Sequence, residues 1–169
     1  MHGQRIFDFA KSLVEGALIL RDAGHSVPAL MLIYSGIDQM AWLSIDRERS
    51  SGSDFKAWVE DYMISQNPIA ATADELWEAR NALLHTGTAE STANMRDDRL
   101  RKIYYTQGGV KCTRNDDPKC LFLSVESLTE GYITAVLWFV TALEKDPERL
   151  SAALSKLGRM LSFRTFPDQ

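Results

Sequence analysis

The spacing of apolar and polar positions divides the chain into helical runs with one interruption. Over residues 4–23, Ile6, Phe9, Ala10, Leu13, Val14, Ala17, Leu18 and Leu20 recur at the interval of one helix face, and Gly24 supplies a stop. A second helix starts at Ser26 and Pro28, because a proline in the first turn gives up an amide that has no helical partner there. Its run, PALMLIYSGIDQMAWLSI, is apolar nearly all round and predicts the central helix of a bundle. Residues 46–54 are charged and then small, which reads as a frayed end and a loop. Ser53 or Asp54 then caps a short third helix that carries Phe55, Trp58, Val59, Tyr62 and Met63 and ends at Asn67-Pro68. Thr72 followed by Glu75 is a capping box. It predicts a fourth helix that stops at Thr86-Gly87 and turns Leu76, Ala79, Leu83 and Leu84 to the core, with Trp77 at the margin.

The pattern then changes. TAESTANMRDDRLRK is polar and aperiodic, and residues 103–107 and 120–125 read as two short strands joined by a polar connection. They predict a β-hairpin insertion over about residues 88–124. A long helix from Ser124 or Ser127 to about Lys145 follows. A last helix opens at Asp146-Pro147-Glu148 and buries Leu150, Ala153, Leu154, Leu157, Met160 and Leu161. The expected fold is all-α, a single domain over 1–169, built as an up-and-down bundle of about six helices with the small hairpin inserted.

Composition narrows the function classes. With 45% apolar and 25% charged residues the chain matches an ordinary globular protein. A net charge of -4 argues against a surface that is one general adhesive for nucleic acid. Locally the balance reverses: in residues 95–119 seven Lys or Arg stand against four Asp, which makes either a solvated loop or an arm that tracks phosphates. No stretch has the apolar length of a membrane span and the N-terminus lacks a signal-peptide pattern, so a cytoplasmic protein with no membrane partner is expected. Cys112 and Cys120 are too few for a four-cysteine zinc site and are expected as free thiols. His2, His25 and His85 are widely separated, and neither a Gly-rich phosphate loop nor a GxSxG elbow occurs, so neither a metal nor a cofactor is expected.

Two charges remain on faces that should be buried. Arg80 falls in the middle of the apolar stripe of the fourth helix, and Asp38 lies in the second helix four residues from both Tyr34 and Trp42. A buried charge costs stability unless something answers it, so the two are expected to meet within hydrogen-bonding or one-water distance. The alternative is an Asp38 that stands in solvent. Asn81 and His85 are neighbours on the adjoining face, beside Glu78. Arg80 and His85 diverge by roughly 140° around an undistorted helix, so one helix alone is expected to converge them poorly.

The sequence Arg80-Asn81-Ala82-Leu83-Leu84-His85, an Arg, a polar residue, three more residues and a His near a helix end in an all-α setting, resembles the motif of the HEPN superfamily. These are small helical domains of toxins, abortive-infection systems and RNA-cleaving defence proteins. The run Tyr34-Ser35-Gly36-Ile37-Asp38 on the preceding helix adds to the resemblance, which covers roughly residues 4–86 and the two C-terminal helices. It implies a metal-independent endoribonuclease in which the Arg and His of two protomers face one another across a homodimer interface, with RNA as substrate and an antitoxin as a candidate partner. On that reading His85 removes the ribose 2′-hydroxyl proton or protonates the leaving 5′-oxygen, and Arg80 binds the scissile phosphate. Asn81 positions the phosphate or the histidine, and Asp38 holds the Arg80 rotamer. The products would be a 2′,3′-cyclic phosphate and a 5′-hydroxyl, and DNA would be resistant. One family subset carries a Tyr two positions after the His; Gly87 stands there in this chain, so regulation through that Tyr is not implied. The alternative is a catalytically silent helical dimer that binds RNA, a nucleotide or a protein. An open cleft around Arg80 and His85 favours the nuclease, and a dry core favours the silent dimer.

Overall fold

The computed structural model describes residues 4–87, 99–107 and 117–159. Among these are six α-helices: α1 Gln4–Asp22, α2 Ser26–Leu43, α3 Gly52–Trp58, α4 Ala73–Thr86, α5 Val125–Glu144 and α6 Pro147–Leu157. Two short strands, β1 Lys102–Thr106 and β2 Cys120–Ser124, lie between α4 and α5. The apolar spacing therefore located the helices well. As expected, α2 lies at the centre: it packs against α1, α3, α4, α5 and α6, and Ile33, Tyr34, Ile37 and Met40 on it are fully buried. Buried apolar side chains from all six helices and both strands join one cluster, which removes from water the surface that drives folding. No helix among the described residues is long and apolar enough to cross a membrane.

Two expectations need correction. The third helix was expected as one α-helix capped by Ser53 or Asp54. Its cap is Ser51, and Asp54 is the reciprocal acceptor of that capping box. After Trp58 the chain widens into a π-helical turn, Val59–Ile64, in which Val59 and Met63 stay buried while Tyr62 packs on Trp58 and Phe139. The second correction concerns the insertion, which is not a β-hairpin. The strands β1 and β2 run parallel, with Lys102 opposite Cys120 and Thr106 opposite Ser124. A tight turn cannot join parallel strands, so β1 and β2 are not the two arms of a hairpin. That direction delivers Ser124 as the N-cap of α5, its hydroxyl accepting from the Ser127 amide at 2.9 Å. Cys120 is half-buried, and its thiol donates to Asp117 Oδ2 at 3.2 Å. The expectations for Cys112, Arg96, Lys111, Arg114, Met160 and Leu161 fall outside the described residues.

Candidate active site

The site is built on α4, whose two ends are both fixed. At its start the Thr72 hydroxyl accepts from the Glu75 amide at 3.2 Å and the Glu75 carboxylate accepts from the Thr72 amide at 2.9 Å, completing the expected capping box. Arg101 then clamps the same carboxylate, with Nε 2.6 Å from Oε1 and Nη2 3.0 Å from Oε2. Burial pushes the Glu75 carboxyl up, but the hydrogen bonds and charge of Arg101 and the Thr72 amide outweigh it and hold the group below the usual carboxylate range. One member of the basic segment is thereby committed to an internal ion pair. At its other end α4 stops where expected, on Gly87 in the left-handed conformation, φ 65°. A residue with a Cβ would be strained there.

Between these ends Arg80 projects toward α2 and meets Asp38. Nε and Nη2 donate to the same oxygen, Oδ2, at 2.8 and 2.6 Å, so the expected pairing is present. The pair is shielded, with side-chain exposures of 19% for Arg80 and 27% for Asp38. Burial pushes the Asp38 carboxyl above its ordinary value, against the opposing hydrogen bonds and charge of Arg80 and the charge of His85. The guanidinium also lies over the Trp77 ring, 5.2 Å from its centroid, which adds a cation–π contact from one turn below. Trp77 in turn packs on Phe55, and it leaves no room for a side chain at Gly52, where a Cβ would stand 2.8 Å from the indole. Sequence reasoning placed Trp77 only at the margin of a core stripe. The i, i+3 spacing to Arg80 was the signal that could have found its second role.

Arg80 Nη1 donates to Asn81 Oδ1 at 3.1 Å and lies 3.2 Å from His85 Nε2. This overturns the expectation that one helix converges Arg80 and His85 poorly. The angular argument compares the directions in which side chains leave the helix, whereas a guanidinium on a long unbranched stem can curve around it. Asp38 and Trp77 hold it in that curve. All four residues singled out from the sequence, Asp38, Arg80, Asn81 and His85, therefore form one connected cluster within a single chain.

The contact with Arg80 is compatible with one tautomer of the imidazole only. Arginine has N–H donors and no acceptor, so the contact is a hydrogen bond only when Nε2 presents its lone pair and the ring proton sits on Nδ1. His85 is exposed, in the last turn of the helix. The cluster thus combines a fixed cation with a solvent-facing proton acceptor. It can hold an anion at the outer edge of Arg80 and accept a proton at Nε2. Comparison of the chain with protein-family profiles, with characterised proteins and with solved structures returned no significant match.

Proposed function

We propose that the chain is a metal-independent endoribonuclease of the HEPN type. The observation that carries this reading is the contact between Arg80 Nη1 and His85 Nε2, made by an arginine that Asp38 anchors from the other side. In the resting arrangement Arg80 occupies the histidine lone pair. A phosphate arriving at the Nη1–Nη2 edge takes over those N–H groups as a charge-assisted partner and frees Nε2 beside the ribose. His85 then accepts the 2′-hydroxyl proton, the 2′-oxygen attacks phosphorus, and the bond from phosphorus to the 5′-oxygen breaks. The leaving 5′-oxygen takes a proton, giving a 2′,3′-cyclic phosphate and a 5′-hydroxyl. Arg80 stabilises the charge that builds on the phosphate oxygens, and Asn81 holds the guanidinium in plane. A second copy of the chain, related by a two-fold axis, would supply the acid that the leaving oxygen needs.

The test is cleavage of structured and unstructured RNA by pure protein with a chelator present. Wild type should cleave RNA and leave the all-deoxy strand intact, while His85→Ala and Arg80→Ala should each slow cleavage by about 100-fold or more. Equal background in wild type and His85→Ala would sink the proposal. A second reading is favoured by one observation: Asp38, Asn81 and His85 together engage Nε, Nη1 and Nη2 of Arg80. A guanidinium so fully engaged suits a silent module that holds RNA without cutting it, in which case His85→Ala retains RNA as well as wild type does.

A further inference from the structure

Leu137 and Trp138 are 52% and 49% exposed in the middle of α5, although both carry large apolar side chains. On one side they continue into an apolar groove between α1 and α5, lined by Phe7, Val14, Ile133 and Val136. A lone apolar side chain at a surface needs no explanation, but a contiguous apolar patch does. By helical spacing Glu130, Thr134, Thr141 and Lys145 share the stripe of Leu137 and Trp138, which is about 100° wide. Lys145 is the C-cap and still has right-handed helical backbone, so it continues the stripe. All of these residues are exposed except the half-buried Thr134. Their order is acid, threonine, Leu-Trp, threonine, base. It is also symmetric: Thr134 and Thr141 stand equally far from the midpoint between Leu137 and Trp138, and so do Glu130 and Lys145. Neither Glu130 nor Lys145 makes an ion pair among the described residues.

We propose that this face is a self-association surface, on which α5 packs antiparallel against α5 of a second copy with the two-fold axis at the Leu137–Trp138 midpoint. A two-fold interface uses one patch twice, so each position must suit the position it meets. Here the symmetry sets Glu130 of each chain beside Lys145 of the other and brings Thr134 to Thr141. Leu137 and Trp138 of both chains are then buried at the centre. The threonines flanking that centre are short enough to let the helices approach. The Thr141 hydroxyl already donates to the Leu137 carbonyl at 2.8 Å, so it enters the contact without an unanswered donor. At the edge of the groove stands the exposed Lys11–Glu15 pair, 3.5 Å apart, which suits a polar rim. A foreign helix would have no need of the mirrored order, and a membrane surface would favour a surplus of bases over the one acid and one base present. Because α4 packs on α2, α3 and β1, this surface is separate from the end of α4, and the inference stands whether or not the chain cleaves RNA.

The test is sedimentation velocity over a concentration series. Trp138→Glu, which sets two carboxylates at the axis, should weaken wild-type association about 100-fold or more. Glu130→Lys and Lys145→Glu should each weaken it about ten-fold, because each creates two like-charge contacts per pair of chains. An equimolar mixture of those two variants should recover the wild-type affinity, since a chain with two bases then meets a chain with two acids. Both substitutions in one chain should recover it as well. A wild type that stays monomeric at every concentration overturns the surface, and so does association that none of these substitutions moves. Loss of association in Trp138→Glu without recovery in the mixture overturns the antiparallel register and the proposal with it. If Trp138→Glu does not fold, the charge variants at exposed positions decide alone. RNA cleavage reads the Arg80 site and leaves this surface untested by itself, so the two proposals fail separately: a folded Trp138→Glu protein retains any association made at the end of α4.

Discussion

Two carboxylates frame α4, and they respond to pH in different windows. Asp38 is pushed above its ordinary range by burial and only partly pulled back by Arg80. A carboxyl raised in this way contributes stability that is present below the ordinary range and lost as pH rises through the folded-state value. In Arg80→Ala the opposing charge is gone, so the folded-state value climbs further. The variant should lose about 1–3 kcal/mol at neutral pH, and the gap to wild type should narrow on acidification while still above the ordinary carboxylate range, as measured by urea unfolding over a pH series. Glu75 has the opposite sign. Its carboxyl is held low, so its contribution is present above the ordinary range and is lost as pH falls through the lower folded-state value. Glu75→Gln should cost about 1–2 kcal/mol at neutral pH, and that gap should close only below the ordinary range; a gap that does not depend on pH would show that the charge of Glu75 is immaterial. At this scale much was legible in the sequence. Asp38 and Arg80 announced themselves as opposite charges on apolar helices, and Thr72 with Glu75 as a cap. The Arg80–His85 contact was hidden because spacing reports the direction of a side chain and not its reach. Lys156 was hidden as well: it stands outside the apolar stripe expected of the last helix, yet it is 5% exposed and donates from Nζ to the Trp42 carbonyl at 2.7 Å and to that of Ile45.

Helices could be located from period alone, because each must turn a recognisable stripe to one core, but how two elements pack is decided by contacts across the chain. The crossing of α2 and α5 is an example. A Cβ on Gly36 would stand 2.1 Å from the Tyr132 hydroxyl and 2.7 Å from its Cζ, so α5 sits at a depth that only glycine permits. Nothing in PALMLIYSGIDQMAWLSI distinguishes this glycine from a mild helix weakener. Gly36→Ala should destabilise by about 1–3 kcal/mol through overpacking. The Tyr132 hydroxyl is buried and has no hydrogen-bond partner among the described residues, so Tyr132→Phe should cost little and should recover part of the Gly36→Ala loss. A double-mutant cycle by chemical unfolding checks this, and additive losses would mean that the hydroxyl is not the obstacle. The strand pair was misjudged for a related reason. Two short apolar runs look alike whether they pair antiparallel or parallel, and the direction of pairing is not encoded in local pattern.

For the molecule as a whole, the single-chain cluster changes what a second copy would have to provide. A dimer is not required to bring Arg80 to His85, since they already lie 3.2 Å apart. Proton balance still asks for one. RNA cleavage by the 2′-hydroxyl removes one proton and delivers another, and each cluster holds one imidazole. Arg80 does not give up its proton near neutrality, Asn81 does not titrate, and Asp38 is tied to Arg80. The acid for the leaving 5′-oxygen must then be water or the histidine of a second chain. A two-fold axis beside the end of α4 would set two Arg80–His85 pairs at one cleft and supply it. Specific activity should therefore rise with protein concentration and level off as the dimer fills, with sedimentation tracking the same midpoint. Adding excess His85→Ala protein should depress wild-type activity, because each mixed dimer retains a single imidazole. Constant specific activity from a protein that sediments as a monomer would instead make one chain sufficient and water the acid, and the added variant would then leave the wild-type rate unchanged.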